Sequence, residues 1–165
     1  MKSTALSFLL CAGLAAPALA GDHDADRIAR GEYLVTIMDC AGCHMPRGAD
    51  GVPIFEAGLS GGTVGFEIPG MGIFWPPNLT PDPSGLGGWS EAEIAAAIAG
   101  GIARDGRMLA PAMPSSSYAV LSPEDLDAIV AYLRALPPVE APRFEPVTDA
   151  ADAPAPFHRV VLPRG

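Results

Sequence analysis

Residues 40–44 form the pentapeptide Cys-Ala-Gly-Cys-His, and this feature most limits what the chain can fold into. The pattern C-x-x-C-H is typical of c-type haem attachment. The two thiols add to the haem vinyl groups and become thioethers, and their spacing places both sulfurs on one side of a helical turn. The imidazole that follows would be the proximal iron ligand. We therefore predict one covalent haem c, attached at Cys40 and Cys43 and ligated by His44.

Two other interpretations of the pentapeptide remain open. A structural zinc site needs further Cys or His ligands, and the remaining ones are Cys11, His23 and His158. Cys11 lies in a segment that we expect to be removed, and the two histidines are expected to be solvated. A redox dithiol needs a βαβ context, which the sequence does not show. Both interpretations explain the pentapeptide less well than haem attachment does.

The first 20 residues have the pattern of a secretory signal peptide. Lys2 supplies positive charge, an apolar stretch covers residues 5–16, and Ala18-Leu19-Ala20 is a cleavage signal before Gly21. The stretch is too short to span a bilayer, and no window after Gly21 approaches that length. Because c-type haem is attached outside the cytoplasm, we predict a periplasmic protein whose mature part has no transmembrane span.

The chain is acidic. Its formal net charge is −9, and removal of Lys2, its only lysine, would make it −10. A surface of this charge repels nucleic acid and anionic lipid, so we expect no nucleic-acid partner. The charge would steer the protein toward a basic partner, with an association rate that falls with salt. The alternative is that acidity only maintains solubility.

Composition indicates one domain with long irregular loops. The chain has 19 Gly and 18 Pro among its 165 residues, below the proportion of a low-complexity sequence. We expect a haem domain over residues 21–138. The Pro- and Ala-rich tail, residues 139–165, is expected to be extended and either to lie on the domain or to reach a partner.

Three helices are predicted from periodicity and capping signals. The first runs from Ala25 to Met38, is capped by Asp24 or Asp26, and contains a glycine, Gly31, that indicates a close helix crossing. The second covers residues 94–102, after the capping box 90–93, and is ended by two glycines. The last begins with Ser122 as N-cap and Pro123 at the first helical position, and stops at residues 136–138.

Residues 45–88 are expected to be irregular, because they contain many glycines. Weak alternation at residues 52–55 and 63–68 predicts short strands or a hairpin. Phe66, Phe74 and Trp75 are candidates to pack on the haem faces, with ordinary packing in the loops as the alternative.

The sixth iron ligand is predicted from loop context. Met113 stands between two prolines in residues 110–114, and flanking prolines would limit the movement of such a loop. Met71 and Met108 are alternatives, and the absence of any Met ligand is another. Met38 and Met45 are too close to the pentapeptide to reach the opposite haem face.

The sequence resembles class I cytochrome c domains, and is most similar to the cytochrome c subunits and domains that accept electrons from periplasmic dehydrogenases. The resemblance covers about Ala25 to Val139, on segments 31–35 (GEYLV), 40–44 (CAGCH), 78–82 (NLTPD), 85–91 (GLGGWSE), 105–107 (DGR), 111–114 (PAMP) and 131–139 (AYLRALPPV). It implies an all-α fold of three to five helices around one haem. It also implies that the first and last helices cross near Gly31 and Tyr132, and that Met113 is the distal ligand.

The function that we expect is electron transfer, not catalysis. A monohaem carrier would pass single electrons from a periplasmic dehydrogenase to a cytochrome or oxidase of the respiratory chain. The alternative is a haem enzyme or ligand sensor with an open or labile sixth position, and a third possibility is a structural subunit with an incidental haem. Arg104 and Arg107 are expected to be exposed, with pairing to the haem propionates as the alternative.

Overall fold

The computed structural model describes residues 20–163, which contain five α-helices, two short 3₁₀ helices and one small sheet. The helices are α1 (Ala20–Ile37), α2 (Cys40–His44), α3 (Glu91–Gly100), α4 (Ser115–Tyr118) and α5 (Pro123–Ala135), the strands are β1 (Gly65–Ile68), β2 (Gly72–Phe74) and β3 (Phe157–His158), and the 3₁₀ helices are Phe55–Ala57 and Ala150–Asp152. The number of helices agrees with the expected class I cytochrome c fold. The small sheet is an additional element that the all-α expectation did not include. Residues 1–19, with Cys11 and most of the predicted signal peptide, lie outside this range.

Helices α1 and α5 cross at Gly31, as predicted. A Cβ atom at Gly31 would lie 2.0 Å from the carbonyl oxygen of Ala128 and 2.7 Å from the Cβ of Tyr132. Only glycine, whose side chain is a single hydrogen atom, therefore lets the two helices approach this closely. Two ion pairs between the same helices, Arg27 with Asp127 and Arg30 with Asp125, flank the contact.

The N-terminal caps of α3 and α5 were predicted correctly. The Ser90 hydroxyl accepts a hydrogen bond from the Glu93 amide, and the Glu93 carboxylate accepts one from the Ser90 amide. The Ser122 hydroxyl likewise accepts from the Asp125 amide. Helix α3 ends at Gly100, two residues before the predicted end at Ile102, and Gly101, with φ 64°, is its C-terminal cap.

The predicted cap of the first helix is wrong. Helix α1 covers Ala20–Ile37, so Asp24 and Asp26 lie inside it. Asp24 pairs with Arg27 one turn further along the helix. Asp is a common N-cap residue, so its presence just before the apolar periodic segment indicated a helix start that in fact lies earlier in the chain.

The core lies where α1, α3 and α5 meet. Its most deeply buried side chains are aliphatic and come from these three helices and from two loops: Leu34, Val35, Leu59, Leu86, Ile94, Ile98, Ile129, Val130 and Leu133. On the last helix, Ile129, Val130 and Leu133 are buried in this core, whereas Leu126 packs at its edge.

Strands β1 and β2 form the hairpin expected in the irregular half of the chain. They pair antiparallel, with Phe66 opposite Phe74. Residues 52–55 do not form a strand, although Pro53 makes one isolated bridge with Arg47.

The tail lies on the domain, which is one of the two outcomes expected for it. Strand β3 pairs parallel with β1, so the sheet order is β2-β1-β3. Val147 and Ile73 exchange two backbone hydrogen bonds of 2.7 and 3.1 Å. The indole of Trp75 donates to the Pro156 carbonyl oxygen at 3.2 Å and packs against Phe144. The hairpin is therefore covered by the C-terminal part of the chain.

Within residues 20–163, no helix is long and apolar enough to cross a membrane.

Candidate haem site

The site begins at the joint between α1 and α2. Helix α1 ends with the Asp39 amide donating to the Thr36 carbonyl oxygen at 3.1 Å. Asp39 itself has a left-handed backbone, with φ 52° and ψ 42°. This reversal starts a new helical turn at Cys40, so the whole pentapeptide forms the separate short helix α2.

The two predicted haem thiols lie on this short helix with different exposure. Cys40 is half-buried and Cys43 is exposed, and both are free thiols. Burial raises the pKa of the Cys40 thiol to about 11, with Asp39 adding to the shift. Burial also raises the pKa of Cys43. Dithiol oxidoreductases depend on a lowered thiol pKa, so this environment does not favour the redox-dithiol interpretation.

His44 is buried and its ring orientation is fixed. Its Nδ1 lies 2.8 Å from the carbonyl oxygen of Pro77, and because a carbonyl only accepts, Nδ1 carries the proton. The other ring nitrogen, Nε2, then has the lone pair that ligates a metal. Burial lowers the pKa of His44, and the bond to Pro77 acts in the opposite direction. The imidazole is thus held neutral, which is the form required of an iron ligand.

Pro77 is held in place by the segment that follows it. The buried Asn78 side chain accepts from the Thr80 amide and hydroxyl, both at 2.8 Å, and donates to the Val139 carbonyl oxygen at 2.8 Å. Thr80 also accepts from the Val139 amide at 3.1 Å. Asn78 and Thr80 belong to segment 78–82 of the family resemblance. Their role beside His44 was not predicted, because nothing in the local pattern pairs residue 77 with residue 44.

Met113 is half-buried in a short loop that leads into α4. Its amide donates to the Ala110 carbonyl oxygen and its carbonyl oxygen accepts from the Ser115 amide, both at 2.9 Å. Helix α4 is bound to α3 through the Ser115 hydroxyl and the Ala97 carbonyl oxygen. It is bound to the end of α1 through the Tyr118 hydroxyl and the Met38 carbonyl oxygen, at 3.4 Å. The loop that carries Met113 is therefore anchored between α3 and the residues just before Cys40.

The other methionines have different surroundings. Met71 lies at the turn between β1 and β2 and is 51% exposed, and Met108 is 68% exposed. Met38 packs against the core. Met45 caps the end of α2.

The tail also reaches α2. A cavity of about 20 Å³, the volume of one water molecule, separates α2 from the sheet and is lined by Gly42, Cys43, Met45, Arg47, Gly62, Val64, Phe66 and His158. His158 is exposed, as predicted, and its ring lies 5.4 Å from that of Phe66. His23, the other histidine outside the pentapeptide, is exposed too. The aromatic contacts of Phe66 and Trp75 in this structure are thus made with the tail.

Arg104 and Arg107 are half-exposed and each has a carboxylate partner. Arg104 lies 3.4 Å from Glu93, and Arg107 lies 3.2 Å from Asp105. With Arg143 and Trp89 they border an open cavity of about 430 Å³. This agrees with the expectation that both arginines are exposed.

The donor groups present fit a covalent haem. Two free thiols lie on one helical turn, and the next residue is a buried, neutral imidazole whose Nδ1 is already hydrogen-bonded. Second-order contacts of this kind fix the tautomer of metal-binding histidines. Within residues 20–163, no group of three or more His, Cys, Asp or Glu side chains is placed to hold a metal ion.

Comparisons with known proteins indicate the family of the chain. A family model described as cytochrome c matches residues 28–137. The gluconate 2-dehydrogenase cytochrome c subunit of Pantoea cypripedii is 40% identical over 75% of this chain and 26% of its own length. The fructose dehydrogenase cytochrome subunit of Gluconobacter japonicus is 38% identical, over 70% of this chain and 22% of its own. The diheme cytochrome c-type of Cereibacter sphaeroides is 36% identical, over 66% of this chain and 36% of its own length.

The chain therefore spans about a quarter of the length of the first two relatives. The matched part contains α2, Pro77 and Met113, and the family is one of covalent haem c proteins. The chain belongs to the cytochrome c family.

Proposed function

We propose that this protein is a periplasmic monohaem cytochrome c that carries single electrons between a dehydrogenase and the respiratory chain. The observation that carries the proposal is the buried His44, whose Nδ1 is bound to the Pro77 carbonyl oxygen at 2.8 Å. A ligand fixed in this way changes little when iron changes its redox state. Little reorganisation is what an electron carrier needs.

In this proposal Cys40 and Cys43 are the thioether attachment points, and His44 and Met113 are the axial ligands. The support for Met113 is its loop, which is anchored to α3 and to the end of α1. A thioether ligand favours Fe(II) and raises the reduction potential. Residues 1–20 would be a cleaved signal peptide, residues 21–138 the haem domain and residues 139–165 the tail.

The haem, when bound, supplies reversible exchange between Fe(III) and Fe(II). The protein's part is to hold and to insulate it. His44 presents Nε2 in one orientation, and the aliphatic core beside α2 excludes water. Cys43 is exposed, so the side of the site next to this residue is open to an approaching partner.

The names of the relatives support a dehydrogenase as electron donor. Relatives include cytochrome subunits of gluconate, alcohol and fructose dehydrogenases. The acceptor would be a cytochrome or an oxidase. The electron-transfer role is separate from catalysis, which in such assemblies would belong to the partner.

The experiment is to export the protein from a host that matures c-type cytochromes, and to compare Met113→Ala with Met71→Ala and Met108→Ala. Mass spectrometry should find one haem on the wild type. The ferric wild type should show the weak long-wavelength band of Met–iron coordination. Met113→Ala should lose the band, and the two controls should keep it.

Three outcomes would contradict parts of the proposal. No added haem would end it. A high-spin wild type that binds CO or cyanide at once would favour the haem enzyme or sensor. Loss of the band in Met71→Ala or Met108→Ala would move the distal ligand to that residue.

A further inference from the structure

Asp39 has a backbone conformation that no other described non-glycine residue adopts. Within residues 20–163 it is the one such residue with positive φ. The left-handed region costs an L-residue free energy, and Asp and Asn tolerate it better than other non-glycine residues. This conformation occurs at the joint where α1 ends and the haem-binding helix begins.

The Asp39 side chain folds back onto that helix. Its Oδ1 accepts a hydrogen bond from the Gly42 amide at 3.1 Å, and its backbone carbonyl oxygen accepts from the same amide at 3.0 Å. A Cβ atom at Gly42 would lie 2.3 Å from Oδ2. The carboxylate therefore occupies the space that a side chain at Gly42 would fill, on the helical turn that carries the two cysteines.

The Asp39 carboxylate lies on the turn that carries Cys40 and Cys43, where its Oδ1 accepts from the Gly42 amide. A fixed negative charge at this position would favour the more positive Fe(III) state of an attached haem. It would therefore lower the reduction potential.

We propose that Asp39 is a positioning residue of the haem site: its left-handed backbone and its carboxylate fix the turn that presents Cys40 and Cys43, and its charge lowers the reduction potential. The inference depends on the proposed function, since it assumes haem at these cysteines. It adds a residue outside the pentapeptide to the machinery that attaches and tunes the group.

Three substitutions separate backbone, cap and charge. Asp39→Asn keeps the left-handed tolerance and an oxygen that can accept from the Gly42 amide, but removes the charge. Asp39→Gly keeps the backbone freedom and removes the cap. Asp39→Ala removes both, because alanine has no acceptor and is strained at positive φ.

The measurements are the fraction of exported chain that carries haem and the midpoint potential of the haem-containing fraction. We expect Asp39→Asn to attach haem as fully as the wild type and to have a more positive potential. The haem-containing fraction should fall in Asp39→Gly and fall further in Asp39→Ala. Exchange of the Gly42 amide with solvent deuterium should accelerate in the last two variants and not in the first.

Asp50→Asn is the matched control. The exposed Asp50 carboxylate accepts from the Val52 amide, two residues ahead, at 3.0 Å, whereas Asp39 accepts from the amide three residues ahead. The substitution removes the same charge from a turn outside the pentapeptide. Its potential should move less than that of Asp39→Asn.

Equal potentials for Asp39→Asn and Asp50→Asn would overturn the tuning role. Full haem attachment and an unchanged Gly42 exchange rate in Asp39→Ala would overturn the positioning role. A wild type without haem would instead refute the proposed function, so the two failures are distinguishable.

Discussion

At the scale of a residue, the missing Cβ atom of Gly31 determines how closely α1 and α5 can pack. In an isolated helix, alanine is better than glycine by about 0.5–1 kcal/mol. At Gly31 the added carbon would lie 2.0 Å from the Ala128 carbonyl oxygen. Backbone cannot yield as a flexible side chain can, so α1 and α5 would have to separate.

We predict that Gly31→Ala lowers the free energy of unfolding by about 1–3 kcal/mol, the usual cost of overpacking. Urea unfolding followed by circular dichroism measures it. Gly100→Ala is the control, because a Cβ at that last residue of α3 would meet nothing closer than 3.8 Å. A stabilised Gly31→Ala variant would contradict the crossing described here.

The ion pair between Arg30 and Asp125 makes a second prediction, on pH. A hydrogen bond from Arg30, 2.8 Å long, is the main cause of the lowered pKa of Asp125. A carboxyl with a lowered folded-state pKa stabilises the fold above its ordinary value of about 3.8. That contribution is lost as the pH falls through the lowered pKa.

Asp125→Asn should therefore reduce the loss of stability on acidification below about pH 3.8. The measurement is the unfolding free energy as a function of pH. Asp152→Asn is the control, because it removes a carboxylate for which the described residues offer no ion-pair partner. The change in the acid profile should be larger for Asp125→Asn than for Asp152→Asn. Identical acid profiles for Asp125→Asn and the wild type would refute the prediction.

Single residues of the site were predictable where their chemistry is local. The spacing of Cys40, Cys43 and His44 is enough to predict haem attachment. The Pro77 carbonyl that orients His44 lies 33 residues away, and every residue has such a carbonyl. No sequence pattern distinguishes it, so this contact needed the folded structure.

Among the elements, helices were more predictable than strands, because the contacts that start a helix are local in sequence and those that pair two strands are not. Helices α3 and α5 begin at side-chain caps that lie within three residues of their partners. Strand β3 has two residues and pairs with a strand about 90 positions earlier in the chain. Its sequence has no alternation long enough to detect, and the pairing with Gly65 depends on how the tail crosses the domain.

The tail gives a prediction at the scale of elements. A chain that ends at Pro138 would lose the acceptors of the Gly65, Ile73 and Trp75 N–H groups, which are on Val147 and Pro156. Each such hydrogen bond contributes about 0.5–1.5 kcal/mol net. We expect a lower melting temperature, faster hydrogen exchange at Gly65 and Ile73, and red-shifted fluorescence from the uncovered Trp75.

A chain that ends at Arg159 is the control for this truncation. It keeps β3 and the ion pair between Arg159 and Glu67, and removes the exposed Val160, Val161 and Leu162. Its melting temperature and exchange rates should match those of the full chain. If the chain ending at Pro138 also has the melting temperature and exchange rates of the full chain, the contacts of the tail contribute nothing to stability.

Charge is a property of the whole molecule and gives the last prediction. A net charge of −9 attracts cations over a distance of about 10 Å at 0.1 M salt and about 30 Å at 0.01 M. The rate of reduction by the cation hexaammineruthenium(II) should therefore fall as salt is added, and the rate with the anion ferrocyanide should rise. Stopped-flow absorbance measures both, and the same salt dependence for the two reagents would contradict steering by the net charge.

The hydrogen bonds between Val139 and the pair Asn78 and Thr80 have a consequence for the order of assembly. In a polypeptide that crosses a membrane amino-terminus first, the pentapeptide emerges about 95 residues before Val139 does. Without Val139 the turn behind His44 lacks these hydrogen bonds. If haem is attached at the pentapeptide as proposed, attachment would then precede the completion of this turn, and Val139 would complete it around a group already in place.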